Sequence, residues 1–507
     1  MTKLNCLVRG SLFAVGLMSA VAMDAGVKAY AQGDNASSII ISTYRQVAHL
    51  DRSQIGGSEI LVNGLMDPLI RLDAKGEIYP GLVDSWDQVD ENKTRLTLRQ
   101  DVTFSDGEKF NAEALKINLD RRLEVTTSSN LKSVTGAEVV DEYTLDLLHK
   151  PQPQLGLLSE LGIFIFPYSP RQIMEDPQSL ETAPISTGPY KVVSYESGRE
   201  LLLEARDDYW GANVEGWGVP SIKNVTVRFG VDPGVGLAAL QAGEVDMFHE
   251  LTPENAALVG DDMRVIRPSP EVFFMRFGLK DEFTSDLRVR EAINLAIDRV
   301  ALNGPFLGMG EPATQLWHSQ IAGWADRGPL PEADLERARE LIKEAGADGT
   351  EMQMVFSTSY KAGIGLMSQA VAAMIEDIGI KVKMTDLDGV RFREYIRETD
   401  NPAPLTTLAF GFDGPEVTGF VTSRISCGAK LSTYCNAEVD RHLDLARKAV
   451  SAAERKTILQ SMMDEIDRDK GVIPLISPPL IWGKSADLQV TPSFGGLMEW
   501  KYWTLDR

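Results

Sequence analysis

The chain has 507 residues, of which 43% are apolar and 24% are charged, a balance that excludes a disordered chain and predicts a globular protein with ample core. It carries 73 acidic against 51 basic residues and a formal net charge of −22, which argues against nucleic acid and anionic membrane surfaces as partners. The length predicts two or three domains.

The N-terminus has the pattern of a cleaved secretory signal peptide. Lys3 and Arg9 precede a short apolar run, residues 11–23, and an A-x-A cleavage site ends at Ala31. The alternatives are a membrane anchor or a buried helix, but the run is shorter than the ~18 apolar residues that a membrane span requires. We therefore predict a signal peptide over residues 1–31 and an exported mature protein.

Strand and helix patterns alternate along the mature chain. Residues 38–43 form a short apolar run typical of a buried strand, and residues 94–104 alternate apolar and polar side chains before a turn. Asn111 is placed to cap a following helix. Helical periodicity predicts two later helices, one over residues 285–302 and one over residues 334–346. The patterns predict a mixed α/β protein.

Catalytic and metal-binding motifs are scarce. The sequence contains no nucleotide-binding glycine loop, no G-x-S-x-G and no H-E-x-x-H. The histidines are scattered without metal-ligand spacing: His49, His149, His249, His318 and His442. We therefore expect no catalytic residues, no metal and no cofactor. A triad assembled from distant segments stays open as an alternative.

Two cysteines of the mature chain, Cys427 and Cys435, lie eight positions apart. This spacing fits a small disulfide-closed loop, a metal pair or coincidence. Because an exported protein meets an oxidising compartment, a disulfide is the predicted state. A zinc site is disfavoured because His442 is the one nearby partner, whereas structural zinc takes four ligands.

Seven blocks of sequence follow one another along the mature chain. The longest, residues 62–121, contains PGLVDSW and LRQDVTFSDG, and residues 186–211 contain TGPY and YW. The remaining blocks are LQAGEVDM (240–247), DLRVREAINLAIDR (286–299), DLERARELIKEAG (334–346), STYCNAEVDRHLDLARKA (432–449) and VIPLI (472–476). Together they resemble the family 5 extracellular solute-binding proteins, the peptide- and nickel-type binding components of ABC importers.

The resemblance implies an α/β fold of two lobes, the large form of the type II periplasmic binding protein, with mixed sheets flanked by helices and an extra subdomain. Two chain crossovers, near residues 268 and 478, would be the hinges. The implied boundaries are residues 32–71, 183–268 and 478–507 for lobe I, 72–182 for the extra subdomain and 269–477 for lobe II.

The resemblance also implies a mechanism and partners. A solute binds one lobe, the lobes close over it, and the closed form delivers it to ABC permease subunits in the inner membrane. We accordingly expect a periplasmic, monomeric transport protein that performs no chemistry on its ligand and binds no nucleic acid. A chemoreceptor adaptor with the same fold, and a secreted hydrolase built on the scaffold, are the alternative functions.

The implied binding site lies in LAFGFDGPEVTGFVTSR, residues 408–424, which aligns with the family block D-Y-P-D-P-x-x-F. In peptide-binding relatives the first aspartate, here Asp413, holds the α-ammonium of the ligand. Gly411 and Phe412 would lie beside it on the cleft wall, and the disulfide would brace the loop behind. The alternative is that Asp413 is an ordinary turn residue before a Gly-Pro pair.

Other parts of the pattern depart from the peptide binders. Gly414 replaces an aromatic residue, and the arginine that takes the peptide carboxylate in dipeptide-binding relatives has no equivalent in FSTSYKAG, residues 356–363. We predict further cleft residues there and in neighbouring loops: Tyr360, Lys361, Arg391, Trp317 and Tyr44. The predicted ligand is a peptide or amino-acid derivative, with an opine, an oligosaccharide or a metal chelate as alternatives.

Overall fold

The computed structural model describes most of the chain. The described residues are 37–53, 62–72, 78–125, 133–151, 154–215, 217–269, 271–318, 321, 323–361, 363–397, 400, 402–410, 417–429, 431–449, 451–491 and 499–507. The predicted signal peptide and the predicted site residues Gly411, Phe412 and Asp413 lie outside these ranges.

A seven-stranded sheet forms the core of the first lobe. Its strands are β1 (Ser38–Thr43), β8 (Tyr190–Glu196), β9 (Glu200–Ala205), β10 (Asn224–Arg228), β11 (Met247–His249), β12 (Arg264–Pro268) and β19 (Pro479–Lys484). Their order across the sheet is β12-β19-β11-β1-β10-β9-β8. The central strand β1 runs parallel to both of its neighbours, β10 and β11. The buried strand predicted at residues 38–43 is confirmed, with Ile39 and Ile41 in the core.

A six-stranded sheet forms the core of the second lobe. Its strands are β13 (Val272–Phe277), β14 (Glu311–Pro312), β15 (Glu351–Phe356), β16 (Lys381–Asp386), β17 (Leu405–Phe410) and β18 (Val472–Ser477). The order is β14-β18-β13-β17-β15-β16, and β15 runs parallel to both β16 and β17. Each lobe therefore has its own set of parallel strands whose carboxyl ends share one edge.

A smaller four-stranded antiparallel sheet is made from residues between β1 and β8. Its strands are β4 (Val83–Asp90), β5 (Lys93–Leu98), β6 (Val134–Asp141) and β7 (Thr144–His149), in the order β4-β5-β7-β6. Two ribbons complete the strands: β2 (Ile70–Leu72) with β3 (Ile78–Pro80), and β20 (Leu488–Gln489) with β21 (Thr504–Leu505). The predicted subdomain over residues 72–182 contains this sheet, although its boundaries stay a prediction.

Helices flank the sheets. They are α1 (Val62–Leu65), α2 (Ala112–Val125), α3 (Gln154–Phe164), α4 (Pro170–Glu175), α5 (Pro233–Gln241), α6 (Pro253–Ala256), α7 (Leu287–Ala296), α8 (Leu335–Glu344), α9 (Ile364–Glu376), α10 (Gly389–Tyr395), α11 (Thr418–Arg424), α12 (Ala437–Lys448) and α13 (Ala452–Asp469). None of the helices in the described ranges is both long and apolar enough to cross a membrane.

Local predictions about helix ends have mixed outcomes. The Asn111 cap is confirmed, since its Oδ1 accepts a hydrogen bond of 2.9 Å from the Ala114 amide. The helix predicted over residues 285–302 is wrong in length, because α7 ends at Ala296. Ile297 turns to an extended conformation, and the buried Arg299 guanidinium instead donates to the carbonyls of Ala313 and Pro474.

The chain crosses between the two large sheets twice, and the two crossovers lie side by side. Strand β12 leads to β13 and strand β18 leads to β19, with Pro268 paired to Pro479. Ser477, at the end of β18, is 3% exposed. Its hydroxyl donates to the carbonyls of Ser269 at 2.7 Å and Glu271 at 2.8 Å, which ties one crossover to the other.

Candidate functional site

The first side of the candidate site lies where β1 and β11 end. These neighbouring strands are parallel, with Thr43 paired to His249, so the residues that follow them emerge at the same edge of the sheet. Those residues are Tyr44, Arg45 and Glu250. The carboxyl ends of parallel strands are where α/β sheets usually bind ligands.

The three side chains form one hydrogen-bonded group. Arg45 makes an ion pair with Glu250, and its Nε donates to Glu250 Oε2 at 3.2 Å. The Tyr44 hydroxyl donates to the same oxygen at 2.8 Å. Glu250 has a φ of 66°, a left-handed conformation that costs free energy in a residue other than glycine. Strained backbone conformations of this kind are concentrated at functional sites. Here the conformation accompanies a side-chain position in which the Glu250 carboxylate contacts Arg45.

The charge states of this group are set by its neighbours. Burial acts to raise the pKa of the Glu250 carboxyl, but the neighbouring His249 and Arg45 outweigh burial and lower that pKa to about 2. Burial and the Glu250 carboxylate raise the pKa of Tyr44 to about 12. Glu250 is therefore an anion, and Tyr44 a neutral hydrogen-bond donor, at all physiological pH values.

The second side of the site lies where β15 and β17 end, in the other lobe. Tyr360 and Lys361 follow β15, and the Tyr360 hydroxyl donates to the Ala409 carbonyl at 3.3 Å, next to the end of β17. Lys361 Nζ lies 2.7 Å from Glu271 Oε1. Glu271 immediately precedes β13, whose first residue pairs with the last residue of β17.

Electrostatic interactions connect the two sides. Burial acts to lower the pKa of Lys361, but Glu271, and Glu250 from the other lobe, raise it. Lys361 in turn acts to lower the pKa of Tyr44. We call Tyr44, Arg45, Glu250, Glu271 and Lys361 the cleft cluster. It contains two cations, two anions and a phenol, and each lobe contributes both signs of charge.

The predicted site residues are distributed as follows. Tyr44 and Lys361 belong to the cleft cluster, and Tyr360 lies beside it. Arg391 lies in α10, after the carboxyl end of β16, with its side chain 78% exposed and 3.5 Å from Asp388. Trp317 is 1% exposed in the hydrophobic core of the second lobe. As ligand-binding residues all of them remain predictions, as do Gly411, Phe412 and Asp413 outside the described ranges.

Three members of the cleft cluster were not predicted from the sequence. Arg45 and Glu250 follow short buried strands, a position that could have marked them, but β11 has only three residues. Its partner β1 lies more than 200 positions earlier in the chain. Glu271 lies in no recognisable sequence motif. Its position in the cleft cluster depends on the crossover from β12 to β13.

The two cysteines form a disulfide in the structure, with their Cα atoms 4.3 Å apart. The bridge closes the loop between α11 and α12, and the Cys427 amide donates to the Asp440 carboxylate at 3.2 Å. Helix α11 begins at Thr418, shortly after the predicted ligand loop, and buries Phe420 and Val421. The disulfide therefore fixes the far end of the helix that follows this loop.

The sequence of the chain matches the family model described as bacterial extracellular solute-binding proteins, family 5 Middle, over residues 77–431. The chain belongs to this family. Its amino-acid sequence is 27% identical over 456 residues to the glutathione-binding protein GsiB of Salmonella typhi, covering 85% of this chain and 86% of that relative. The predicted family resemblance is thereby confirmed.

Solved structures confirm the two-lobed fold of this family 5 solute-binding protein. The periplasmic binding protein DppA of Helicobacter pylori, solved with the peptide STSA, matches with a TM-score of 0.74 at 18% identity, covering 93% of this chain and 98% of DppA. NikA of Staphylococcus aureus, solved with Ni(L-His)2, matches with a TM-score of 0.75 at 18% identity, covering 93% of this chain and 100% of NikA. At such identities the likeness concerns the fold.

Proposed function

We propose that the protein is the periplasmic, monomeric solute-binding component of an ABC importer, and that it captures a peptide or an amino-acid derivative between its lobes. The observation that carries this proposal is the cleft cluster, in which the charges of Glu250 from one lobe and Lys361 from the other interact near the carboxyl ends of parallel strands. The family relationship supports the binding role, and export follows from the predicted signal peptide.

A ligand with both an ammonium and a carboxylate matches this arrangement. Its ammonium would be held by carboxylates, Glu250 and the predicted Asp413, and its carboxylate by Lys361 and Arg45. Charge-assisted hydrogen bonds are roughly twice as strong as neutral ones, which favours a zwitterion over an uncharged sugar. The cations and anions of the cluster now pair with each other, so a ligand can replace these pairs without leaving a buried charge uncompensated.

Capture would proceed by rotation of the lobes about the two crossovers. These are the adjacent connections between β12 and β13 and between β18 and β19, which Ser477 ties together. Such short connections at element ends are where hinge closure usually takes place. Closure would bring the cleft cluster and the predicted ligand residue Asp413 around the ligand, and an inner-membrane permease would accept the closed form.

The test begins with protein that has been unfolded and refolded to remove any bound ligand. Thermal shift and calorimetric titration would then be run with glutathione, short peptides, an opine, an oligosaccharide and a nickel–histidine chelate. Because ligand stabilisation grows as RT ln(1 + [L]/Kd), a ligand at about 1,000 times its Kd should add ~4 kcal/mol. We expect a peptide-type ligand to meet this criterion.

Variants then test the site. Asp413→Ala and Lys361→Gln should each weaken peptide binding at least tenfold, whereas Lys280→Gln, which removes an exposed lysine paired with Asp400 at 3.6 Å, should not. Saturable binding of a sugar or chelate alone would overturn the peptide assignment while keeping the importer role. Conversion of the added peptide into products would overturn the binding role in favour of a hydrolase.

A further inference from the structure

A polar cavity whose lining includes none of the cleft cluster lies between the segment that follows β1 and helix α2. It is small and partly open to solvent. Three arginines line it, Arg52 from the segment and Arg121 and Arg122 from the helix, together with Asn118, Phe166 and Tyr168. Three guanidinium groups around one small cavity are unusual in a chain with a net charge of −22.

Among the described residues, the carboxylate beside these cations forms its ion pair with Arg121. Asp51 lies 2.6 Å from Arg121 Nη2 and also accepts a 2.9 Å hydrogen bond from the Ser53 amide. Together with the hydrogen bonds to Ser53, this ion pair keeps the pKa of Asp51 below its usual value although burial acts to raise it. In the described part of the chain, three guanidinium groups line the cavity against this one neighbouring carboxylate.

These two arginines are held in place and retain unused donors. The Arg52 guanidinium lies 5.3 Å from the ring centroid of Phe166, and Arg122 Nη1 donates to the Ser53 carbonyl at 2.5 Å. Within the described part of the chain, the buried Nε atoms of both arginines have no hydrogen-bond partner. Burial, and next the positive charge of Arg52, lower the pKa of Arg122, although Tyr168 and Asp51 act to raise it.

Tyr168 adds a neutral donor to the same cavity. Its hydroxyl accepts a 2.8 Å hydrogen bond from the Arg52 amide, which leaves the phenolic proton free to point elsewhere. Asn118 fixes the backbone of Tyr168 on both sides, through hydrogen bonds of 2.8 Å to its amide and its carbonyl. Burial raises the pKa of Tyr168, so this side chain stays a donor.

We propose that this cavity binds a small oxyanion, a phosphate, sulfate or carboxylate group, between the guanidinium groups of Arg52 and Arg122. The planar fork of a guanidinium matches the oxygens of such groups, and two mutually repelling cations are stabilised by an anion between them. The phenol of Tyr168 would donate a further hydrogen bond. The anion is either a free inorganic ion or an acidic end of a transported solute other than the carboxylate assigned to Lys361 and Arg45, a case that rests on the proposed function.

The first experiment is a calorimetric titration of the refolded, ligand-free protein with sodium phosphate and with sodium sulfate, at constant ionic strength set by sodium chloride. We expect saturable binding of at least one ion. Arg52→Gln should weaken it at least tenfold, because the Arg52 side chain forms no ion pair among the described residues and its loss should leave the fold intact. Arg199→Gln, which removes an exposed arginine paired with Glu196, should change the affinity less than twofold.

Arg52→Lys is a second variant that keeps the charge and removes the fork, and it should bind more weakly than the unmodified protein. Circular dichroism melting checks that each variant is folded. The proposal is overturned if the unmodified protein binds neither ion saturably, or if Arg199→Gln loses as much affinity as Arg52→Gln. These titrations use no transported solute, so their failure would leave the proposed importer function untouched.

A competition experiment distinguishes the two sources of the anion. The peptide-type ligand is titrated in the presence and absence of saturating phosphate. If phosphate weakens peptide binding, and Arg52→Gln weakens it in parallel, the cavity takes the acidic end of the solute. If the two bind independently, the cavity is a separate ion site. Either result supports an oxyanion site, and only the source differs.

Discussion

At the scale of single residues, Glu250 shows how backbone and charge cooperate in the cleft cluster. Its φ of 66° is unfavourable for a side chain with a Cβ atom, yet the conformation places the carboxylate against Arg45 and Tyr44. The side chain is 19% exposed, so the ion pair is shielded from most of the solvent. The interaction should therefore contribute to stability as well as to binding.

The pH dependence of unfolding tests this contribution. The folded-state pKa of Glu250 is lowered to about 2 from 4.5, so the carboxylate stabilises the fold above pH ~4.5 and this stabilisation is lost as the pH falls toward 2. Between those values the free energy of unfolding of the unmodified protein should fall by on the order of 3 kcal/mol more than that of Glu250→Gln. Denaturant unfolding at a series of pH values measures both.

The matched control is Glu254→Gln, which neutralises an exposed glutamate four positions away, in α6. It should keep the pH dependence of the unmodified protein. If Glu250→Gln and the unmodified protein lose stability in parallel as the pH falls, the low pKa of Glu250 is wrong and the ion pair contributes nothing to folding.

The sequence identified part of this site because some of its members follow recognisable strands. Tyr44 comes directly after the apolar run at residues 38–43, and Lys361 lies in the stretch that aligns with the ligand-binding loop of relatives. Glu250 and Glu271 were not predicted from the sequence. Their positions depend on the pairing of β11 with β1 and on the crossover into β13. No local pattern reports contacts between residues so far apart in the chain.

At the scale of elements, the Ser477 hydroxyl adds a side-chain link between the adjacent crossovers, beyond the pairing of β12 with β19. Ser477→Ala removes the donor for the carbonyls of Ser269 and Glu271 and leaves both buried carbonyls with one partner fewer. We expect a loss of about 1–2 kcal/mol in the free energy of unfolding. Urea unfolding measures it, and Ser461→Ala, which removes an exposed helix hydroxyl bonded to the Thr457 carbonyl, is the control. Equal effects of the two substitutions would contradict a special role for Ser477.

The disulfide acts on the loop between α11 and α12. Replacement of both Cys427 and Cys435 by serine should lower the free energy of unfolding by ~2–3 kcal/mol, since the bridge closes a short loop and restricts the unfolded chain. Peptide affinity should also fall, because α11 would no longer hold the end of the predicted ligand loop. Chemical unfolding and calorimetry give the two values. Unchanged affinity alongside lowered stability would limit the bridge to a structural role.

At the scale of the whole molecule, the sheets combine strands from distant parts of the chain. Strand β19 pairs with β11 and β12, although more than 200 residues separate them. Periodicity identified many of these segments as strands or helices, but it could not show which strands pair. The family resemblance supplied the two-lobed arrangement, because relatives with the same order of blocks share it. Helix ends, as in α7, depended on tertiary contacts of Arg299.

Electrostatic attraction across the cleft should also influence how far the lobes open. Lys361 and Glu250 belong to different lobes and attract each other. Raising the salt concentration from about 0.01 M to about 1 M shortens the Debye length from about 30 Å to about 3 Å and screens charges that are exposed to solvent. We therefore expect the ligand-free protein to have a larger radius of gyration in high salt, as measured by small-angle X-ray scattering.

The same measurement on variants assigns the effect to the cleft cluster. Lys361→Gln should be as open in low salt as the unmodified protein is in high salt, and its radius should change little with salt. Lys280→Gln, with the same change of net charge on an exposed surface, should keep the salt response. Addition of ligand should close both proteins if it still binds, because ligand contacts then replace the attraction between Lys361 and Glu250. If the radius of gyration of Lys361→Gln still increases with salt, the interactions that control lobe opening lie elsewhere in the molecule.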